Sequence, residues 1–558
     1  MAHFFMEWKA QPLPEFELAN GYVRSYRPGD EADWFRCCKG GDLGTENWAE
    51  GQFEKDMLGK EGLLPENIFF AVDENGCIAA TAAAVYQKDC GYVHMVAADP
   101  AFRGRGFGKA VCLKVMQVLV EKGYDKIILE TDDFRGSAVH IYKWLGFERI
   151  VNNTDFLKLD AAQCDGMTTY PLKPFNTLLL SFSADTPVGT TIELKARVRV
   201  EEKFTEWFSW GIWSPFADRH CIDSEDELAL IDTDTLRVKN GKLADAVQVK
   251  YEVVCSENGE TPVLRSAAVT VKNTKLTSDE PVTAAEDCYV ETPCYSQMVR
   301  DPKIGGVICS ATTIAMLLAQ KGESVLPEEI ALHNYDSVYD GCGNWSYSTA
   351  IAAAYGYDAY LKYCTLDDLI AEIKAGYAVG ASVYYTNDPN HEKLPYMENA
   401  PCTTRGHLLV VCGFKTDETG RQWVIAHDSA AKSNAEVERF YPLDQFLNAW
   451  DNRVTYIVHK ADAPVQRHIP QYVPATVRKT DAENVYELIC EGNAIKLTKD
   501  GAFRNTVIGW VTESKGEKLA DCDFAYGTVT EDRAMNLDGW NGQPLYVITH
   551  RGTIYEVK

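Results

Sequence analysis

Residues 93–109 read V-H-M-V-A-A-D-P-A-F-R-G-R-G-F-G-K, and this stretch decides the fold of the first part of the chain. An apolar strand ends at Ala97, a turn follows, and apolar side chains then recur at helical spacing through residues 109–122. That strand is predicted at residues 92–97, further strands at 69–72 and 126–130, and a second helix at 137–145. Because strands alternate with helices, we predict an α/β domain, at residues 15–160.

The glycine-rich loop at residues 103–108 leads into the first of these helices. The first turn of a helix has unpaired N–H groups and the positive end of the helix dipole, so it can hold a pyrophosphate. Gly104, Gly106 and Gly108 lack the Cβ atoms that would block the approach of such a group. A flexible turn before a helix is an equal alternative for a loop of this composition taken alone.

Two motifs in this region resemble the GNAT superfamily of acetyltransferases. The first is R-x-x-G-x-G directly after D-P-A-F, and the second is residues 130–147, which end in the family's Y-x-x-L-G-F signature. The resemblance implies a GNAT α/β fold and direct acetyl transfer from acetyl-CoA to a primary amine. It also implies a set of residues that hold acetyl-CoA, namely Met95, Val96, Ala97, Arg103, Gly104, Arg105, Gly106, Phe107, Gly108 and Lys109.

The same resemblance implies catalytic roles. Tyr142 matches the family's usual general acid, and a phenol with a pKa of about 10 can protonate the thiolate of a thiol with a pKa of about 8.5. Core packing is the alternative for Tyr142. Glu130 and His94 are both candidates for the general base, and a plain structural role for Glu130 is equally open. Arg135 stands where many relatives have Asn, which is a departure from the family pattern.

A second group of residues predicts a cysteine nucleophile. Cys309 precedes a helix, and a thiol at a helix N-terminus has a lowered pKa. His407 begins the apolar run H-L-L-V-V, and Asp428 ends the run V-I-A-H-D. Gln297, in Y-S-Q, precedes the cysteine. His427 adjoins the aspartate and is the alternative base, but we favour His407.

The order Gln, Cys, His, Asp resembles the bacteriocin-processing and related papain-like peptidases of bacteria. The resemblance implies that the thiolate attacks an amide or peptide carbonyl, the histidine takes the thiol proton, the aspartate fixes the histidine, and the glutamine stabilises the oxyanion. Ala311 and Ser429 stand where relatives often have proline, and the spacing from Gln297 to Cys309 is longer than in papain. A domain with this fold and no activity is the alternative.

The remaining sequence completes a multidomain α+β protein. Period-two alternation at residues 191–200 and 246–254 predicts a β-sandwich at 165–274. A polar linker at 275–287 leads to the papain-like α+β domain at 286–462, and a small β-rich domain follows at 468–558. Trp207, Trp210 and Trp213 are predicted to be sandwich core or interface, with a sugar-stacking platform as the alternative.

Composition limits the partners and the compartment. The net charge of −26 argues against nucleic acids and anionic membranes, which attract basic surfaces. The 17 cysteines include no C-x-x-C pair, so we expect no metal. We see no signal peptide and no stretch of 18 apolar residues, and we therefore expect a cytoplasmic protein. The sequence leaves the oligomeric state open.

The sequence thus predicts a bifunctional enzyme that acetylates a small-molecule or peptide amine and cleaves a peptide or amide bond. The two activities could be coupled, because hydrolysis frees an amine that acetylation then caps. In one alternative only the acetyltransferase is active, and the papain-like and β domains are binding modules. In another only the hydrolase is active, and in a third the chain is a scaffold whose β domains recruit a partner.

Overall fold

The structure is a computed structural model that describes residues 3–40, 48, 51–87, 90–132, 135–149, 153–275, 287–462, 464–499, 506–550 and 552–558. The chain forms two compact units, one within Met1–Asn153 and the other within Thr154–Thr274 and Glu280–Lys558. Most of the predicted linker at residues 275–287 lies outside the described residues.

The first unit is an α/β domain built on a mixed sheet. Its helices are α1 (Glu31–Gly40), α2 (Phe107–Glu121) and α3 (Gly136–Trp144). Its strands are β1 (His3–Lys9), β2 (Gly21–Ser25), β3 (Leu63–Asp73), β4 (Ile78–Tyr86), β5 (Gly91–Ala98), β6 (Lys126–Asp132) and β7 (Glu148–Arg149). The order in the sheet is β2-β3-β4-β5-β6-β1-β7, with β5 parallel to β6 and the other pairs antiparallel.

The sequence explains how α2 packs. Val111, Val115 and Leu119 of the predicted apolar stripe are fully buried, while Val118 is half-buried. These side chains pack against strands such as β4, whose sequence I-A-A-T-A-A-A-V-Y is buried almost throughout. Small alanines on the strand allow the helix to approach closely, so the loop before α2 is held at the edge of the core.

The predicted boundaries of this domain, 15–160, are wrong at both ends. Strand β1 pairs with β6 along its whole length, so the sheet begins before residue 15. Residues 154–160 form β8 (Thr154–Asp160), which pairs with a strand of the second unit instead. Both ends of the domain are set by pairing between strands that are far apart in the sequence. Such pairing cannot be inferred from the local periodicity of the residues.

The second unit begins with a β-sandwich, as predicted. Its strands after β8 are β9 (Tyr170–Phe175), β10 (Thr177–Asp185), β11 (Thr191–Val200), β12 (Lys203–Phe204), β13 (Phe208–Trp213), β14 (Ser224–Glu225), β15 (Ala229–Asp232), β16 (Thr235–Val238), β17 (Ala244–Val254) and β18 (Val263–Lys272). One sheet has the order β14-β15-β16-β10-β18-β8, and the other has β12-β11-β17-β9 with β13 beside β11. Burial alternates strictly along β11, which confirms the predicted period of two.

The tryptophan cluster belongs to this sandwich. Trp210 and Trp213 are fully buried, and Trp207 is half-buried with the cationic groups of Arg197 and Lys250 over its ring. The two buried rings are therefore core, as the sequence favoured, and not a sugar platform.

The middle of the second unit is the predicted α+β part. Its helices are α4 (Cys309–Gln320), α5 (Pro327–His333), α6 (Trp345–Ala354), α7 (Leu366–Lys374) and α8 (Leu443–Ala449). Its strands are β19 (Cys288–Tyr289), β20 (Tyr357–Tyr363), β21 (Val379–Tyr385), β22 (Thr404–Thr416), β23 (Gln422–His427), β24 (Glu438–Pro442) and β25 (Val454–Lys460). The antiparallel sheet runs β20-β25-β21-β22-β23-β24, with β19 beside β22.

The last part is small and β-rich, as predicted. Its strands are β26 (Gln471–Pro474), β27 (Thr476–Lys479), β28 (Val485–Cys490), β29 (Asn493–Ala494), β30 (Val507–Glu513), β31 (Asp523–Tyr526), β32 (Thr528–Glu531), β33 (Ala534–Asn536), β34 (Leu545–Ile548) and β35 (Thr553–Val557). Its two sheets have the orders β26-β35-β34-β30-β31 and β27-β28-β33-β32, the latter with β29 beside β28.

These three parts of the second unit are not separate bodies, although the sequence analysis divided them. One hydrophobic cluster extends through all three. The amide of Leu361 donates to the Ser181 hydroxyl at 2.9 Å, which joins the sandwich to the α+β part. Arg300 donates to the carbonyl of Ala520 at 2.7 Å, which joins the α+β part to the last part. No helix within the described residues is long and apolar enough to cross a membrane.

Candidate functional sites

The glycine-rich loop of the first unit borders a cavity of about 750 Å³. Nine of the ten residues predicted to hold acetyl-CoA line it, and Met95 does not. The sequence did not predict that the N-terminal segment and the start of α3 also line this cavity. The additional lining residues are Phe16, Glu17, Ala19, Ala98, Phe102, Arg135, Gly136, Ser137, Ala138 and Ile141.

Gly106 caps the N-terminus of α2 in a conformation that favours glycine. Its φ is +89°, and a Cβ atom there would lie 2.8 Å from Cζ of Phe16. The following residues Phe107 and Gly108 begin the helix and line the cavity. Their N–H groups have no partner within the helix, so the cavity wall offers hydrogen-bond donors to an anion.

Cationic side chains surround the same loop. The guanidinium of Arg105 lies 5.3 Å from the ring centres of both Phe102 and Phe107. The ammonium group of Lys109 lies 4.8 Å from the Trp144 ring. Aromatic faces position these cations at the cavity, so the site has the charge that a phosphate-bearing ligand requires.

Strand β5 has a bulge where it borders the cavity. Ala83 of β4 is opposite His94 and Thr81 is opposite Ala97, so β5 has one residue more than β4 between these pairs. Met95 accommodates the bulge with a φ of +51°. A bulge leaves backbone groups of the strand unpaired in the sheet. One of these groups, the carbonyl of Val96, accepts a 2.8 Å hydrogen bond from Arg135.

The catalytic candidates of the first unit lie in two places. Tyr142 is only 2% exposed and is not part of the cavity lining, and burial raises its pKa. Glu130 accepts a hydrogen bond from the Tyr92 hydroxyl, a contact that the sequence did not predict. His94 lies near Tyr92 and Glu130. Burial, together with the charge of Lys60, lowers the pKa of His94 to about 4. The histidine is therefore neutral at pH 7.

The second unit contains a larger cleft, of about 960 Å³, and it holds the predicted cysteine group. Cys309 is the first residue of α4, and His407 comes from β22 next to it. The Nε2 atom of His407 lies 2.8 Å from Oδ1 of Asp428, and the same histidine is close enough to Cys309 to lower the pKa of its thiol. The structure thus brings together three residues that are up to 119 positions apart in the sequence.

Electrostatics favours a thiolate–imidazolium pair. Burial opposes ionisation of Cys309, but the hydrogen bond and charge of His407 outweigh it and lower the pKa of the thiol. Burial would lower the pKa of His407, yet the neighbouring Asp428 raises it well above its usual range. Burial likewise opposes ionisation of the aspartate, and the histidine brings its pKa down to about 2. Each charge of the pair therefore stabilises the other.

Two tyrosines that the sequence analysis did not identify hold Asp428. The hydroxyls of Tyr385 and Tyr441 each donate to Oδ2 at 2.7 Å, and the amide of Ala430 donates to Oδ1 at 3.0 Å. The carboxylate is fully buried. Because these donors satisfy its oxygens, the Asp428 carboxylate can remain ionised and keep the His407 ring in one orientation.

Gln297 lines the cleft and is fixed from both ends of its amide. Its Nε2 donates to the carbonyl of Gly305 at 2.9 Å, and its Oε1 accepts from the Ser429 hydroxyl at 2.8 Å. The serine that departs from the family's proline therefore has a structural role. Its hydroxyl orients the amide that is predicted to stabilise the oxyanion.

His427, the alternative base, lies outside the cleft. It is fully buried, with Nδ1 3.2 Å from the carbonyl of Pro293 and both ring nitrogens 3.7 Å from the Cys294 sulphur. Burial lowers the pKa of His427 and raises that of Cys294. These shifts favour neutral forms, so this second cysteine–histidine contact is not an activated pair. Within the described part of the chain, no group of three or more His, Cys, Asp or Glu is placed to hold a metal ion.

Comparison with known proteins assigns three parts of the chain to families. Residues 31–147 match the Acetyltransferase (GNAT) family, residues 152–271 match the Peptidase C39 N-terminal domain, and residues 289–458 match the Peptidase C39 like family. The chain therefore joins a GNAT domain to a C39-like peptidase domain, and both predicted resemblances are confirmed.

Individual relatives match the GNAT part. A mycothiol acetyltransferase from Thermomonospora curvata is 27% identical over 144 residues, which are 25% of this chain and 48% of that protein. An N-alpha-acetyltransferase 30 from Xenopus laevis is 30% identical over 106 residues, which are 17% of this chain and 39% of that protein. A solved GNAT family acetyltransferase from Brucella melitensis in complex with acetyl-CoA is 19% identical, with a TM-score of 0.17, covering 20% of this chain and 74% of that one. The chain spans about half the length of the first mycothiol acetyltransferases it matches.

Proposed function

We propose that the chain is a bifunctional enzyme, an acetyl-CoA-dependent N-acetyltransferase joined to a cysteine peptidase or amidase. The observation that carries the second activity is the 2.8 Å contact between His407 and Asp428 beside Cys309 in an open cleft. The first activity is supported by the cavity at the start of α2, where glycines and cations meet. The intact triad weighs against the alternative in which the papain-like part only binds.

The cysteine chemistry follows from the ion pair. The Cys309 thiolate attacks the carbonyl carbon, a carbon–sulphur bond forms, and the oxygen takes the negative charge beside the Gln297 amide. The tetrahedral intermediate collapses, the carbon–nitrogen bond breaks, and His407 gives its proton to the leaving amine. The neutral histidine then takes a proton from water, which attacks the thioester and releases a carboxylic acid. The thiolate–imidazolium pair is thereby restored.

In the first unit, bound acetyl-CoA would supply an activated acetyl thioester. The amides at the start of α2 and the side chains of Arg105 and Lys109 would hold its phosphates. Glu130 and the neutral His94 are the groups able to accept the proton of the attacking amine. Tyr142 is the general acid that the family resemblance implies, although it does not line the cavity; burial raises its pKa, so the phenol is protonated at neutral pH.

The test is mass spectrometry of a pooled library of peptides and polyamines incubated with the full chain and acetyl-CoA. The acetyltransferase should add one acetyl group to amines, and the cysteine site should produce shorter peptides. A chain that gives acetylated products but no cleavage, with Cys309 unreactive towards thiol reagents, would leave only the acetyltransferase. A chain that gives neither product, and no acetyl-CoA binding by calorimetry, would contradict the proposal.

We further propose a cytoplasmic location, because no disulfide bond links the described cysteines and disulfides are rare in reducing compartments. The acceptor would be a small-molecule or peptide amine, and the cysteine substrate a peptide or amide. Coupling of the two activities remains a hypothesis. Acetylation of the natural substrate in cells should fall in Cys309→Ala if the activities are coupled, and unchanged acetylation would contradict coupling.

A further inference from the structure

The wall of the cysteine cleft is not formed by the peptidase part alone. The β-sandwich contributes the turn of its β15–β16 hairpin, and residues 232–235 with Arg237 line the same cleft as Cys309 and His407. This turn is separated from the nucleophile by more than 70 residues of sequence. A substrate bound at Cys309 would therefore meet the sandwich as well as the peptidase sheet.

The turn is fixed in this position by bonds to both parts. The Asp234 side chain is 6% exposed and accepts a 2.6 Å hydrogen bond from the amide of Trp345, the first residue of α6. Its carbonyl accepts from the indole of Trp210 in the sandwich core at 2.8 Å. Thr233 has a φ of +58°, which is costly for a β-branched residue, and its amide donates to Asp223 at 2.7 Å. The turn is thus part of the cleft's permanent structure.

The charges on this wall are mainly negative. The exposed carboxylate of Asp232 lies 3.4 Å from the half-exposed guanidinium of Arg237. Asp340, which also lines the cleft, accepts a hydrogen bond from Tyr335 at 2.6 Å. The Cys309 thiolate and the His407 imidazolium cancel each other, and the buried carboxyl groups of Asp234 and Asp428 add no positive charge. The two solvent-facing aspartates therefore outweigh the one arginine.

We propose that the sandwich turn and Asp340 select a substrate by charge, and that the cysteine site takes a peptide or amide with a cationic group near the scissile bond. The cation is a lysine or arginine side chain or a free amino group. Asp232 and Asp340 attract it, while Arg237 limits the attraction. This inference rests on the proposed function of Cys309 as the nucleophile.

The test uses three methanethiosulfonate reagents that differ in charge, with trimethylammonioethyl, sulfonatoethyl or methyl groups. The Cys309 thiolate attacks the reagent's sulphur, a mixed disulfide forms, and methanesulfinate leaves. Mass spectrometry of the Cys309 peptide of the full chain gives each rate. Cys309→Ala identifies labelling at other thiols, and the neutral reagent's rate in each variant normalises the charged ones.

The wild-type protein should react faster with the cationic reagent than with the anionic one. Asp232→Asn and Asp340→Asn should each lower this ratio by about 25-fold, because one unit charge about 4 Å away in a watery cleft changes the rate of each charged reagent by about fivefold, in opposite directions. Arg237→Gln should raise it by a similar factor. The matched control is Asp245→Asn, since Asp245 also pairs with an arginine, Arg199, on the sandwich but does not line the cleft. Salt near 1 M should reduce the ratio towards one.

The two proposals fail in different ways. If the neutral reagent labels Cys309 rapidly but the ratio is the same in wild type, Asp232→Asn, Asp340→Asn and Arg237→Gln, the charge selection is wrong and the nucleophile stands. If the neutral reagent labels Cys309 no faster than the exposed Cys255, the proposed function fails, and this inference fails with it. Because Arg237→Gln should shift the ratio in the opposite direction, a general loss of folding cannot imitate the expected pattern.

Discussion

The two candidate sites of this chain are built in opposite ways. The cavity of the first unit is built around one continuous stretch, residues 103–109, all of which line its wall, with further lining from the N-terminal segment, β5 and the start of α3. The cleft of the second unit combines a helix start, a strand and a strand end with a turn of the sandwich. The first site therefore depends on the shape of a loop, and the second on side chains that hold one another.

This difference predicts different sensitivities. A loop that presents amides is damaged by added atoms, because the ligand must approach the backbone closely. A triad of buried charges is damaged by removed atoms, because each partner stabilises the charge of the next. Substitutions in each site can test this difference.

Cys309→Ala should reduce peptide or amide cleavage by at least about a thousandfold, because no thiolate remains to attack the carbonyl. Acetyl transfer to a small amine should stay within about twofold of wild type. Both are measured on one sample, by chromatography of cleaved and acetylated products. Cys255→Ala, at an exposed thiol, is the control. Cleavage that survives in Cys309→Ala would show that a group other than this thiolate attacks the carbonyl.

Gly106→Ala should weaken acetyl-CoA binding by about tenfold or more, measured by calorimetry. The new Cβ would lie 2.8 Å from Phe16, which itself lines the cavity, and the residue has a φ of +89°. Gly123→Ala is the matched control, since Gly123 follows the other end of α2 with a φ of +99° and nothing within 4 Å of its Cβ position. Equal losses in both variants would mean that backbone strain alone, and not the cavity, is responsible.

Asp428→Asn should slow alkylation of Cys309 by iodoacetamide at pH 7 by about tenfold, because His407 loses the charge that holds its pKa up. In the wild type, the lowered pKa of Cys309 should keep the rate nearly constant as the pH falls below the thiol's usual pKa of about 8.5. In the variant the rate should instead fall over that range.

The pKa shifts of the triad also make its contribution to the free energy of unfolding depend on pH. The pKa of Asp428 is about 2, below the unfolded value of about 3.9, so its contribution is complete above pH 3.9 and is lost as the pH falls towards 2. The pKa of His407 is raised, so its contribution is present below about pH 6.5 and is lost as the pH rises through the raised value. The control for the alkylation experiment is Asp417→Asn, because Asp417 also has a pKa of about 2 but lies on a surface turn. This variant should leave the pH profile of Cys309 alkylation unchanged, and a shift that matches the one in Asp428→Asn would contradict the triad.

Ser429→Ala should lower kcat for cleavage by about fivefold with little change in KM, since one hydrogen bond of about 1 kcal/mol that orients Gln297 is lost. Steady-state kinetics on any cleaved library peptide gives kcat and KM separately. Ser433→Ala nearby, whose hydroxyl caps no helix, is the control. An increase in KM alone would place Gln297 in substrate binding and not in oxyanion stabilisation.

Much of both sites could be predicted because their residues carry local signals. The loop before α2 shows its glycines, and Cys309 and His407 each stand at the head of an apolar run. Local sequence patterns do not identify residues that reach a site only through tertiary packing. Tyr385 and Tyr441 reach Asp428 from 43 and 13 residues away, and nothing in their own neighbourhoods marks them.

The fold shows the same limit. The period of two on β11 predicted the sandwich, and the stripe on α2 predicted a helix. The assignment of β1 and β8 to sheets required knowledge of their partners, so the predicted domain boundary at 160 was wrong. The placement of the 232–235 turn in the cysteine cleft is likewise a product of packing between parts and not of any motif.

The hydrophobic cluster that the sandwich and the peptidase part share has a consequence for how this protein can change over evolutionary time. A part with its own core can be gained, lost or exchanged without harm to its neighbours. The sandwich and the peptidase part share one core and should melt together, whereas the terminal strands also have a cluster of their own, and a recombination event between sandwich and peptidase would expose apolar surface on both fragments. Sandwich and peptidase should therefore be inherited together, and in calorimetry these two parts should give one heat-absorption peak and not two.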